Sequence, residues 1–115
     1  MKRVILLLSL ILFVIHSYSQ EYKKYYDNGQ LKIIGELKDG KRTGNWKQYY
    51  ENGQLNVSLK YKDDKETGRY AEYYINGELK TIGEFLEGKA LGQWKQYYQN
   101  GELEATGDFV NGKKN

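Results

Sequence analysis

The chain has 115 residues, with 18 Lys+Arg against 15 Asp+Glu, a formal net charge of +3, 13 Gly, 12 Tyr, one His, one Met, and neither Pro nor Cys. That leaves room for one small domain, and because His16 and Met1 both fall in the first nineteen residues, the 96 that follow contain no His, Cys or Met. His or Cys metal sites, Ser-His-Asp and Cys-His nucleophiles and disulfides are thereby excluded, no cofactor is expected, and 16 basic against 15 acidic side chains argue against a broad nucleic-acid footprint.

Lys2 and Arg3 form a positive start, Val4 to Ile15 is an uncharged apolar run of 12 residues, and Ser17-Tyr18-Ser19 offers small residues where a signal peptidase reads. This predicts a signal-peptide helix over residues 1–19, cleavage near Ser19-Gln20, and a periplasmic or secreted protein. The run is shorter than the roughly 20 residues that cross a bilayer. No Cys follows it, which rules out a lipoprotein anchored through a modified cysteine.

Residues 20–115 are built from a repeat. Tyr25-Tyr26, Tyr49-Tyr50, Tyr73-Tyr74 and Tyr97-Tyr98 follow one another at intervals of 24, dividing the chain into units 25–48, 49–72, 73–96 and 97–115. Each doublet is followed by Asn-Gly (Asn28-Gly29, Asn52-Gly53, Asn76-Gly77, Asn100-Gly101) and then by Leu31, Leu55, Leu79 or Leu103. All 13 glycines occupy four phases of the period. Unit two departs twice: Leu59 stands at the phase of Gly35, Gly83 and Gly107, and Asp64 at that of Gly40, Gly88 and Gly112. Asp tolerates positive φ. Leu59 predicts local widening if that glycine exists to let a ring lie against the backbone.

Asn-Gly between residues of alternating character predicts a two-residue type I′ hairpin. For Asn52-Gly53 this pairs Tyr50 with Leu55, Gln48 with Val57 and Trp46 with Leu59. One face then reads Trp46, Gln48, Tyr50, Leu55, Val57, Leu59, Tyr61, and the other Lys47, Tyr49, Glu51, Gln54, Asn56, Ser58, Lys60. Polar, Gly-rich segments such as 39–44 read as the second turn of each unit. The fold expected is all-β: an elongated single-layer antiparallel meander of about eight strands, without helix after residue 19.

The stretches Gly35-Glu36-Leu37-Lys38-Asp39-Gly40-Lys41-Arg42-Thr43-Gly44-Asn45-Trp46 and Gly83-Glu84-Phe85-Leu86-Glu87-Gly88-Lys89-Ala90-Leu91-Gly92-Gln93-Trp94 resemble the MORN repeat. The Tyr-Tyr-x-Asn-Gly-x-Leu insert, as at Tyr49 to Leu55, is similar to the bacterial MORN-repeat variant, a group often labelled as antitoxin components of toxin–antitoxin systems. The resemblance implies a twisted single sheet with stacked aromatic rows, acting as an interaction scaffold without transferable catalytic residues.

Three rows are candidates for function. Trp46, Tyr70 and Trp94, with Tyr26, Tyr50, Tyr74, Tyr98, Leu37, Tyr61, Phe85 and Phe109, read as the packed face, each aromatic burying on the order of 150 to 250 Å². On the other face Tyr25, Tyr49, Tyr73 and Tyr97 recur beside Lys47 and Lys95, with Ala71 interrupting the lysines. Rings about 9 to 10 Å apart suit an extended polymer, with lysines meeting acidic groups, while cross-strand pairing would give the same rings a structural role. Lys41, Lys65, Lys89 and Lys113 share a turn phase that suits either peripheral contact with anionic lipid or a solvated edge. The carboxylates lie mostly in repeated or solvent-facing phases, which argues for a structural role and against an enzyme. The partner expected is another protein or an envelope polymer, with self-association through the C-terminal edge as a further expectation.

Overall fold

The structure is a computed structural model that describes residues 19–115. The signal-peptide helix expected over residues 1–19 therefore lies, but for Ser19, outside the described residues.

Nine strands form one antiparallel sheet in sequential order: β1 (Ser19–Tyr25), β2 (Leu31–Lys38), β3 (Lys41–Tyr49), β4 (Leu55–Lys62), β5 (Lys65–Tyr73), β6 (Leu79–Leu86), β7 (Lys89–Tyr97), β8 (Leu103–Val110) and β9 (Lys113–Lys114). No described residue is helical. The body measures 75 × 40 × 13 Å with a radius of gyration of 20.4 Å, against about 13 Å for a compact domain of 100 residues. The all-β, single-layer, elongated meander expected from the repeat is what forms, with the two-residue β9 added.

The two turns exchange the chemistry that the sequence suggests for them. At Asn52-Gly53 only Gly53 has positive φ (89°). Gly53 N–H donates to Tyr50 O at 2.9 Å and Tyr50 N–H to Gln54 O at 2.8 Å, so the loop is a three-residue connection ending in a left-handed glycine instead of the expected type I′ turn. Asparagine's side chain explains the choice. Asn52 Oδ1 accepts from Gln54 N–H at 3.0 Å, and Nδ2 donates to Ile75 O of the following hairpin at 3.5 Å. The type I′ geometry appears at the other end of the unit, at Asp39-Gly40 (φ 52° and 76°), Asp63-Asp64 (48° and 69°), Glu87-Gly88 (49° and 80°) and Asn111-Gly112 (51° and 79°). The second turn is thus two residues, with Lys38 paired to Lys41, and what read as loop through Gly44 is the start of β3.

The three-residue loop pairs Tyr49, not Tyr50, with Leu55, and a register slip between Gln48 and Tyr49 restores the expected pairs Gln48–Val57 and Trp46–Leu59 further down. A second irregularity recurs where each hairpin meets the next. Ile34 pairs with Lys47 and Glu36 with Thr43, so Gly44-Asn45-Trp46 stand against Gly35 alone; Gly44 has φ 69°. This bulge swings the Trp46 ring across the strand so that it covers Gly35.

A single layer has a thin core. Among large apolar side chains Trp46 is the most covered (9 % exposed), and Ala71 is also buried (7 %). Rings run along the sheet in two clusters: Tyr22, Trp46 and Tyr61 at 5.4 and 5.9 Å between centroids, then Tyr70, Phe85, Trp94 and Phe109 at 5.0 to 6.1 Å. The row divides at unit two, where Leu59 occupies the glycine phase and Tyr70 the tryptophan phase. Tyr26, Tyr50 and Tyr74 do not pack in this row as expected. Each hydroxyl reaches the next hairpin, donating to Tyr49 O, Tyr73 O and Tyr97 O at 2.7, 2.8 and 2.7 Å. At the opposite end Asp64, Gly88 and Gly112 N–H donate to Arg42, Glu66 and Ala90 carbonyls at 2.9 to 3.0 Å. Successive units are therefore tied at both ends of each hairpin.

Candidate functional site

The register lays one transverse row across the face opposite the tryptophans: Lys23, Ile34, Lys47, Ser58, Ala71, Ile82, Lys95 and Thr106, each paired with its neighbour. Directly opposite residues of an antiparallel pair project from the same face. Lys47 and Lys95 thus do share a row, separated by Ser58, Ala71 and Ile82 and by four strand spacings, about 19 Å. The face is less uniformly polar than alternation predicts, because Ile34, Ala71 and Ile82 belong to it.

Tyr25, Tyr49, Tyr73 and Tyr97 pair with Leu31, Leu55, Leu79 and Leu103 of their own hairpins. Leu55 is thereby carried away from the Trp46 face, where simple alternation puts it: the slip between Gln48 and Tyr49 changes its side, and it lines a depression with Lys47, Ser58 and Tyr73. Tyr49, Tyr73 and Tyr97 are half-buried, and Tyr25, on β1, which has no strand beyond it among the described residues, is 57 % exposed.

Two shallow depressions meet on this face. One of about 430 Å³ is lined by Glu21, Ile34, Glu36, Asn45 and Lys47 among others. The other, about 360 Å³, is lined by Asn45, Lys47, Leu55, Ser58, Lys60, Arg69, Ala71 and Tyr73 among others. Asn45 and Lys47 border both, making one trough whose first half carries Glu21 and Glu36 and whose second half has three cations and no carboxylate. Lys47, Lys60 and Arg69 form none of the ion pairs among the described residues, and Glu84, opposite Arg69 on β6, stays beyond ion-pair distance. Among the predicted site residues the trough brings Lys47 and Tyr73 together. Lys95 borders a separate depression on the indole side, whose lining includes Thr81, Trp94, Gln96, Gly107 and Phe109, and Tyr25, Tyr49 and Tyr97 line none of these three.

Asn45, Lys60 and Arg69 escape a reading of one hairpin at a time. Asn45 sits in the bulge, and Lys60 and Arg69 approach it from β4 and β5, so their convergence needs the register of three strands. The signal available was the repetition itself, since the bulge glycines Gly44, Gly68 and Gly92 share a phase.

The turn lysines Lys41, Lys65, Lys89 and Lys113 are all exposed and begin β3, β5, β7 and β9 at one end of the sheet. Among the described residues of these turns only Asp63-Asp64 adds an ion pair: Asp64 accepts from Arg42 Nε and from Arg42 N–H (3.2 Å), while Arg42 Nη1 donates to Tyr61 Oη at 3.0 Å with the guanidinium 4.3 Å from the ring centre. The hydrogen bond from Arg42 holds the Asp64 carboxyl below its usual range and raises Arg42 in turn. Burial, with Glu72 alongside, pushes the Tyr70 phenol up to about 12.

Compared with known families, residues 21–39, 42–63 and 90–111, more than half of the chain, match the family model described as MORN repeat variant. Residues 64–89, between the second and third matches, form β5 and β6 in the same register as the matched hairpins. No curated protein matches the sequence.

Proposed function

The chain belongs to the MORN repeat variant family, and from that premise we propose that it is a non-enzymatic interaction scaffold that takes an extended, acidic segment of a partner protein along the trough around Lys47. The observation that supports this reading is the unpaired basic half of the trough, where Lys47, Lys60 and Arg69 converge beside the half-buried Tyr73 and the apolar Leu55 and Ala71. A shallow, open groove with cations at its rim and apolar atoms on its floor suits a chain-like ligand better than a small molecule, which needs to be largely enclosed. The apolar N-terminal segment ahead of Gln20 supports export, so the partner would be met in the periplasm or outside the cell, and an acidic envelope polymer would present the same chemistry.

The test is capture from envelope extracts by the wild type and by a Lys47→Glu/Tyr73→Ser variant with unchanged melting temperature. Protein captured by the wild type and lost in the variant is the expected result. Retention of a polysaccharide fraction instead would move the assignment to a glycan, and equal capture by both proteins would remove the trough from the binding function.

A further inference from the structure

The two edges of the sheet are complementary in repeat phase. β1 has the phase of β3, β5 and β7: Tyr22 corresponds to Trp46, Tyr70 and Trp94, and Tyr25 to Tyr49, Tyr73 and Tyr97. β8 has the phase of β2, β4 and β6, each of which is followed by such a strand. Its outer side is covered at Asp108, Phe109 and Val110, where Asn115 N–H donates to Asp108 O at 2.7 Å and Lys114 and Lys113 pair with the other two, and its positions 103–107 have no strand beyond them among the described residues.

The groups that tie one hairpin to the next also stand ready at this edge. Gly107 has the phase of Gly35 and Gly83, which lie under Trp46 and Trp94, but here the space a Cβ would enter is bordered by the Lys114 stem and the Phe109 ring. Tyr98 has the phase of Tyr26, Tyr50 and Tyr74, whose hydroxyls donate to the following unit; it is 49 % exposed and makes no such bond. Asn100 likewise lacks the carbonyl that Asn28, Asn52 and Asn76 reach. The strand charges differ in the favourable sense: β8 carries Glu104 and Asp108 with no base, and β1 carries Lys23 and Lys24 against Glu21.

We infer that β8 of one copy takes residues 20–25 of β1 of a second copy, head to tail, in the register that continues the 24-residue period, Asn115 already filling the position of that copy's Ser19. By the pairs Ile82–Lys95 and Thr81–Gln96, Thr106 would then face Lys23 of the second copy and Ala105 its Lys24. Tyr22 of that copy would lie over Gly107, and Tyr98 Oη would donate to its Tyr25 carbonyl. Like charge on two β8 strands disfavours the two-fold alternative, and because a head-to-tail contact does not close on itself it extends into linear oligomers.

The chain has no cysteine, so engineered thiols report the register directly. Purified Thr106→Cys protein is mixed with Lys23→Cys or with Lys24→Cys protein under mild oxidation, and wild-type mass is followed by sedimentation over a concentration series. Facing residues in adjacent strands are within disulfide reach, and a neighbour projecting from the other face is not. Expected are a disulfide-linked dimer of doubled mass from the Lys23 mixture, little from the Lys24 mixture, and a wild-type mass that rises with concentration. A monomeric mass throughout with no preferential Lys23 product overturns the proposal. So does efficient linkage of Thr106→Cys to itself, which would indicate two-fold pairing of β8.

Discussion

Gly35 lies directly beneath the indole of Trp46, and a Cβ at that position would fall well inside 3.0 Å of three ring atoms. Gly83 and Trp94 repeat the relationship 48 residues later. The glycine is required by packing, since neither Gly35 nor Gly83 has the positive φ that other glycines here adopt. Gly35→Ala should therefore expel or tilt the indole and cost about 1–3 kcal/mol as an overpacking change. Denaturant unfolding together with Trp fluorescence checks it, with the emission shifting to the red as Trp46 becomes wetter.

The tyrosine doublet divides labour by position, because the second hydroxyl is a tie between units. Tyr50→Phe removes a 2.8 Å bond to Tyr73 O and should cost about 1 kcal/mol, roughly 4–8 °C in melting temperature for a domain of this size. Tyr98→Phe, at the same phase with no such acceptor, should leave the melting temperature of the dilute protein unchanged. Parallel calorimetry of the two variants compares them.

The two tryptophans are unequal despite equivalent positions. Trp46 Nε1 donates to Glu36 O at 3.2 Å and Thr43 O at 3.1 Å, while Trp94 Nε1 is buried without a partner. Trp46→Phe loses those bonds in addition to ring area; Trp94→Phe relieves an unsatisfied donor. The first should be the more destabilising by about 1–3 kcal/mol, measured as a difference in urea midpoint at constant slope.

Asp64 replaces a glycine and adds a charge contact to Arg42. Its folded-state titration lies below the unfolded one, so the unfolded chain binds more protons in the acid range and the contribution is present at neutral pH and lost as pH falls through the folded value. Asp64→Asn, which tolerates the same positive φ, should melt below wild type at neutral pH, and the gap should narrow and close as the carboxylate of the folded protein is protonated in acid.

Tyr70 acts at the other end of the scale. Its phenol titrates at about 12 in the fold against an ordinary value of 10.0, so between these values the native state holds the proton that the unfolded chain releases. Stability from this group is whole below pH 10 and declines as pH rises toward 12. Tyr70→Phe should flatten that part of the stability curve, and thermal melts through the alkaline range would show it.

Much of this architecture is written in the order of residues alone. A period of 24 set by Tyr-Tyr, Asn-Gly and Leu determines that hairpins follow one another in a single sheet, and the phase of Gly35 already marks a place where a ring meets the backbone. The sequence also shows why chemistry dependent on His or Cys is absent after residue 19. Tertiary structure decided the rest, because turn type and bulge position depend on where each side chain finds its hydrogen bonds. Asn52 closes a three-residue loop, since its amide reaches both Gln54 and the next hairpin, and that choice sends Leu55 to the Lys47 face. Gly44 opens a bulge that turns Trp46 over Gly35 and leaves Asn45 beside Lys60 and Arg69. A one-residue slip exchanges the faces of a strand, so the trough could be located only once three neighbouring strands were in register.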